Sequence, residues 1–157
     1  MPYYLRIAGI DGDSTSRGHE KWFEAATISW GAHSTAAPAS GSGGGAGRPV
    51  LEPLHVGLKS GRSTPLLFQA VVTGRHIAAA TLDVVTSGER RRTALSWSLT
   101  DVQLTSLELS GAGDAAMDET LVLSYGGVTL AATGQDPKGG VTPGPVVGWD
   151  VGRNQTV

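Results

Sequence analysis

The chain contains no cysteine. That excludes disulfide frameworks, thiolate metal sites and cysteine nucleophiles, and it makes folding indifferent to the redox state of the compartment. Large aromatic residues are scarce, 6% of 157 positions, so a modest aliphatic core is expected. No apolar run approaches the roughly 18 residues of a membrane-spanning helix. Met1 to Ile10 lacks the basic start of a secretory signal, and Arg6 interrupts its apolar stretch. Neither sign of charge dominates: the formal net charge is -2. The longest charge run, Glu89-Arg90-Arg91-Arg92, reads as a solvated turn, and nothing amounts to the basic face of a nucleic-acid binder.

What the chain has in abundance is glycine, 23 of 157 residues, about twice the usual share of about 7%. So much glycine costs backbone entropy on folding and implies long loops, bulges or close backbone approach. The length fits one domain over residues 1–157, large enough to bury about 68–70% of its unfolded surface.

The hydrophobic pattern is that of strands. Tyr4 to Ile10 opens with Leu5 and Ile7 facing one way and Tyr4 and Arg6 the other. Lys21 to Trp30 follows with period 2: Trp22, Ala26, Ile28 and Trp30 share a face, with Glu24 as the exception. Ala32 to Pro49 then carries no apolar side chain larger than alanine or proline, and its centre, Ser40 to Gly47, is almost all glycine and serine. Two readings stay open for this loop: a flexible linker, or a segment that orders against a neighbouring subunit. Val50 to Leu58 is a third strand, with Val50, Leu54, Val56 and Leu58 on one side and Pro53 at an edge or bulge.

A single helix is expected over about residues 65–73. Thr64 is the candidate N-cap, Pro65 suits the first helical position, and Gly74 the C-terminal stop. So short a helix is not stable alone and, with Leu66, Leu67, Phe68, Ala70, Val71 and Val72, must pack against a sheet. Strands follow at Ile77 to Val85 and Thr93 to Leu109. In the second, the apolar parity switches twice, which predicts bulges or bends near Asp101 and near Thr105–Ser106. Glu119 to Tyr125 alternates, Gly126-Gly127 is a candidate turn or bulge, and Val128 to Ala132 continues beyond it. Thr133 to Pro145 reads as a loop and Val146 to Val151 as the last strand. The fold class is therefore mainly β: a compact antiparallel barrel or sandwich with one packed short helix and a long glycine-rich loop.

No catalytic or metal-binding signature stands out. His19, His33, His55 and His76 are not spaced as metal ligands. The glycine loop lacks the Gly-Lys-Ser/Thr ending of a phosphate loop. Asp11-Gly-Asp13-Ser14 resembles the start of a calcium loop, with no later acid to complete the ligand set. There is no Gly-x-Ser-x-Gly elbow. The expectation is a non-enzymatic protein without cofactor; His19 or His76 paired with an acid inside a pocket is the arrangement that would reopen the question.

Several short motifs stand in a telling order. They are Leu5-Arg-Ile-Ala-Gly-Ile-Asp-Gly-Asp-Ser14 followed by His19, Ile28-Ser-Trp-Gly31, and Thr73-Gly-Arg-His-Ile77 with Ala80-Thr-Leu82. Leu99-Thr-Asp-Val102, Glu119-Thr-Leu-Val-Leu-Ser-Tyr125 and Gly148-Trp-Asp-Val-Gly-Arg-Asn154 complete the series. Together they span nearly the whole chain and resemble the Hcp (haemolysin-coregulated protein) family, the inner-tube proteins of bacterial type VI secretion systems.

The resemblance implies a β-barrel with a packed helix, homohexameric rings that stack into a tube, and a structural role. It further implies secretion by the apparatus after synthesis in the cytoplasm without a signal peptide, effector cargo in the lumen, and the spike and sheath as partners. Neither nucleic acid nor membrane insertion is implied. The candidate interface residues lie in and beside the glycine-rich loop, placed at about 32–48: His33, Ser34, Ser40, Gly43, Gly45 and Arg48. The chain departs from the family pattern at Leu130 and Ala132, where aromatics are usual, and at Arg62, where an acid is common. The missing aromatics and an Ala/Gly-rich loop blander than usual support an alternative: an Hcp-like adaptor or cargo-binding module of a related contractile injection system that forms rings or monomers but not tubes.

Overall fold

The computed structural model describes residues 1–35 and 47–157. The element order is β1 (Tyr3–Ile7), β2 (Phe23–Ala25), β3 (Thr27–Ser29), β4 (Ala32–Ser34), β5 (Pro49–Leu51), β6 (Leu54–Lys59), α1 (Thr64–Thr73), β7 (His76–Val85), β8 (Thr93–Ser110), β9 (Asp118–Gln135), β10 (Val141–Asp150) and β11 (Gln155–Thr156).

The antiparallel ladders close on themselves. β1 pairs with β2 and β7, β7 with β8, β8 with β9, and the first part of β9 with β6. β6 pairs in turn with β3, which follows β2 across Ala26, whose N–H donates to the Gly57 carbonyl at 2.7 Å. The circuit β1–β2/β3–β6–β9–β8–β7 is a barrel, and closure is the arrangement that removes open strand edges. The second part of β9 leaves the circuit and pairs with β10, which carries the short β11.

Alternation explains the interior. Leu5, Leu54, Val56, Leu82, Leu104, Leu121 and Leu123 have 0% exposure and belong to one hydrophobic cluster. Each buried leucine contributes roughly 1.5–3 kcal/mol relative to exposure. Tyr4, on the outer face of β1, is also buried, because the connection between β1 and β2 folds over it and stacks His19 on its ring at 4.4 Å.

The segment expected as one strand over Lys21 to Trp30 is two strands, broken at Ala26. The face changes at the break: Phe23 and Ala25 turn inward on β2, Ile28 and Trp30 beyond it. Glu24 is therefore no exception; it lies on the outer face of β2. Val50 to Leu58 is likewise two strands, interrupted at Glu52-Pro53, with Val50 exposed on the first and Leu54, Val56 and Leu58 buried on the second.

The helix is as expected, with its cap moved one residue. Ser63 is the N-cap, but its hydroxyl donates to the Asp11 carbonyl instead of capping the helix. The Thr64 hydroxyl accepts from the Gly61 N–H and donates to Glu119, a carboxylate only 2% exposed. A carboxylate at a helix N-terminus also meets the positive end of the helix dipole. Gly74 ends the helix at φ 61°, a left-handed conformation that favours glycine. α1 packs on β8 through Leu67 and Ala70, which are buried, while Leu66, Phe68 and Val72 remain exposed.

Both parity switches in β8 have a structural cause. Leu104 pairs with Leu123 but Ser106 with Val122, so Thr105 is an extra residue, a bulge. Asp101 is different. Thr100 pairs with Gly127 and Val102 with Tyr125, so no residue is inserted. Instead Asp101 adopts φ 50°, which Asp tolerates better than most residues. Gly126 lies opposite, and a Cβ there would stand 3.0 Å from the Asp101 Cβ. Both strands bend together and keep register.

Gly126-Gly127 is thus neither turn nor bulge but part of a continuous strand of 18 residues. The expected loop over Thr133 to Pro145 shrinks to a turn at 136–140, where Asp136 Oδ1 accepts from the N–H groups of Lys138 and Gly140. The basic run is more than a solvated turn: Arg91 donates to the Tyr4 hydroxyl at 3.0 Å and Arg92 to the Thr133 carbonyl at 3.0 Å.

Candidate assembly surfaces

β4 and β5 form a sheet of their own, with Ala32 opposite Leu51, His33 opposite Val50 and Ser34 opposite Pro49. Every residue of β4 is exposed. The ribbon gathers three of the candidate interface residues. His33 is exposed, with Nδ1 3.6 Å from Glu52 Oε1. Ser34 sits at the outer end of the strand. The N–H of Arg48 donates to the Thr35 hydroxyl at 3.0 Å, and its carbonyl accepts from the Thr35 N–H at 3.2 Å. Ser40, Gly43 and Gly45 lie outside the described residues. Strands occupy 32–34 and 49–51, so the loop expected at 32–48 starts and stops within a paired ribbon.

The root of the ribbon rests on the barrel through Trp30 and Leu51, which pack against the core, and through one shared hydroxyl. Trp30 Nε1 donates to Tyr125 Oη at 2.6 Å, and Tyr125 Oη donates to the Glu52 carbonyl at 2.7 Å. Trp30 also meets Trp97 edge to face at 5.9 Å. Burial pushes the Tyr125 hydroxyl above the ordinary tyrosine range, aided by the nearby Glu52 carboxylate and opposed by the bond from Trp30.

A second surface is the open edge of β10, which joins the end of the expected loop, up to Pro145, to the expected last strand, from Val146. Val141, Val146 and Val147 are 60–66% exposed, and no charged residue occurs between Lys138 and Asp150. The Gly140 carbonyl accepts from Asp136 N–H, so the alternation of an antiparallel ladder places Thr142 as the next residue bonded to β9. Val141 and Pro143 then aim their backbone outward. Pro143 therefore removes a donor from the open edge without costing the ladder a bond, and Pro145 falls at the register shift between Pro143 and Val146. Proline on an edge is a known guard against uncontrolled strand addition.

His19 and His76 each pair with an acid. His19 Nε2 lies 2.9 Å from Asp83 Oδ2, and Ser96 Oγ donates to Asp83 Oδ1 at 2.7 Å. The acid stands between the other two, so no bond links the serine to the imidazole and the relay of a nucleophilic triad is not formed. The ring is instead clamped between Tyr4 and the edge of Trp22. His76 pairs with Asp101 at 3.1 Å, both well exposed, and His55 is exposed on β6. No group of three or more His, Asp or Glu side chains that could hold a metal occurs among the described residues. Among the described residues no helix is long and apolar enough to cross a membrane.

A closed barrel carrying a paired two-stranded ribbon, an uncharged proline-bearing edge and a packed short helix defines the class: a mainly β, single-barrel fold. The family described as "Type VI secretion system effector, Hcp" matches residues 4–131, and the chain belongs to it. Solved structures agree. One described as a type six secretion system protein is 26% identical, covers 99% of each chain and superposes with a TM-score of 0.93. Hcp1 from Salmonella typhimurium is 25% identical over 99% of this chain and 98% of its own, with a TM-score of 0.80. A type VI secretion system effector from Yersinia pestis shares the fold at 19% identity, covering 95% of this chain and 99% of its own, with a TM-score of 0.76. No curated protein matches the sequence. As a member of this family the chain is a type VI secretion component, and its fold is that of the Hcp proteins.

Proposed function

We propose that this chain is the repeating unit of a type VI secretion tube: six copies close into a ring, rings stack, and the assembly is exported with effector cargo in its lumen. The family match over residues 4–131 carries this reading. The surfaces are consistent with it. A ring requires two different patches on each copy that meet head to tail and close. The β4–β5 ribbon and the charge-free β10 edge are two such patches, on separate sheets. The sheath, the spike and the effectors are the partners this reading calls for. The role is structural and needs no cofactor.

Sedimentation velocity over a hundredfold concentration range, with negative-stain imaging of the heaviest fraction, tests it. Rings with a central hole, lengthening into stacks on concentration, are expected. A monomeric mass throughout would overturn it. Rings that bind a partner but never stack would favour the adaptor reading.

A further inference from the structure

The β4–β5 ribbon raises a physical question. An isolated two-stranded hairpin is marginal in water, and here all of β4 is exposed. Something must hold its direction. Two residues flank the ribbon as its feet: Trp30 precedes β4 by way of Gly31, and Glu52 follows β5. The Glu52 N–H donates to the Gly31 carbonyl at 2.8 Å, which closes the base. Both feet then converge on a single atom of the barrel. Tyr125 Oη accepts from Trp30 Nε1 at 2.6 Å and donates to the Glu52 carbonyl at 2.7 Å.

We infer that the Tyr125 hydroxyl is the pin that holds the ribbon in the orientation a second copy of this chain engages, making Tyr125 a positioning residue for assembly. The inference rests on the self-assembly reading above and adds the residue that sets its geometry. The hydroxyl uses one donor and one acceptor, and the two bonds run to opposite sides of the ribbon's base, so the ribbon cannot swing without breaking one of them. A tyrosine hydroxyl, with an ordinary pKa of about 10, is protonated at neutral pH, the state in which it donates to the Glu52 carbonyl. Tyr125 also sits beside the shared bend at Asp101 and Gly126, so the pin is seated where β8 and β9 turn.

The test is Tyr125→Phe in the full chain, which keeps the ring of the side chain and deletes only the hydroxyl. Two neutral hydrogen bonds correspond to about a tenfold shift in an equilibrium. The concentration at half-assembly, read by sedimentation, is expected to rise by about that factor. Amide hydrogen exchange on the unassembled protein supplies the second readout. Residues 32–35 and 48–51 are expected to exchange faster, while the amides of β1 and β7 keep their wild-type protection. Trp30→Phe combined with Tyr125→Phe is expected to add less than the sum of the two, because both act through one atom.

Unchanged assembly of Tyr125→Phe beside an assembling wild type would overturn the pin and leave the self-assembly reading intact. A wild type that never assembles would sink that reading and with it this inference. Loss of protection in β1 and β7 together with the ribbon would also overturn the pin, by making Tyr125 a residue of global stability.

Discussion

The barrel and the ribbon are both built of antiparallel strands, yet they are held by opposite means. In the barrel, alternation places Leu54, Leu104 and Leu123 across neighbouring strands, all fully buried. Stability there is distributed over many apolar contacts. The ribbon has Val50 at 37% exposure and no buried residue in β4, and its attachment narrows to its base, where Trp30 and Leu51 touch the core and a few polar atoms set the direction. Burial fixes a core redundantly, whereas a hydrogen-bonded root fixes a direction through single atoms. The first suits a body that must survive; the second suits a part whose partner completes it.

The comparison can be broken most forcefully at Leu123. Leu123→Ala is expected to cost about 2–5 kcal/mol, read as a shift in the urea midpoint of the monomer, whereas Val50→Ala should leave that midpoint nearly unmoved. Equal losses would mean the ribbon belongs to the core. Next in size, Gly126→Ala forces a Cβ to 3.0 Å from the Asp101 Cβ, an overpacking expected to cost about 1–3 kcal/mol in the same assay. Val147→Asp replaces a side chain 63% exposed on the edge, so its stability effect should stay within about 0.5 kcal/mol. Assembly, measured by sedimentation, should nonetheless be lost; a variant that still assembles would remove the β10 edge from the interface.

A pH titration sharpens the root. Tyr125 has a raised pKa, so above the ordinary tyrosine value of about 10 the unfolded chain sheds this proton while the folded chain retains it. Stability is therefore unaffected below that point and falls as pH rises through it toward the folded pKa. Tyr125→Phe should flatten this part of the profile in denaturation midpoints collected from neutral to strongly alkaline pH. The smallest effect belongs to the His76–Asp101 pair, exposed at 69% and 74%. His76→Ala should shift the midpoint by no more than about 0.5 kcal/mol.

Much of the fold is legible in the sequence because local chemistry and long-range pattern coincide. Pro65 and Gly74 bracket the helix by backbone constraint alone. The parity of Leu99, Val102, Leu104 and Leu107 locates the bend at Asp101 and the bulge at Thr105. Where local signals and tertiary context conflict, the reading fails. Pro143 and Pro145 look like loop residues, and only pairing with β9 reveals that Pro143 sits on an outward-facing position of a strand. Lys21 to Trp30 has a nearly clean period of two, which hides a change of partner from β1 to β6 at Ala26. The candidate site is legible in part: His33, Ser34 and Arg48 share the ribbon because they flank one segment. The root of that ribbon is not, because Trp30 and Tyr125 stand 95 positions apart and neither carries a motif that points to the other. The unusual adjacency of Tyr125 to Gly126-Gly127 is the one signal that marks the place.

The shared bend of β8 and β9 has a consequence for how such sequences diverge. Asp101 and Gly126 occupy two positions in the chain but one volume in space. A side chain at 126 crowds the one at 101 on this backbone, so a change at either site alters what the other tolerates. Among related chains the expected signature is covariation: glycine at one position wherever the other carries a side chain, and the reciprocal exchange where the bend has migrated from one strand to its neighbour.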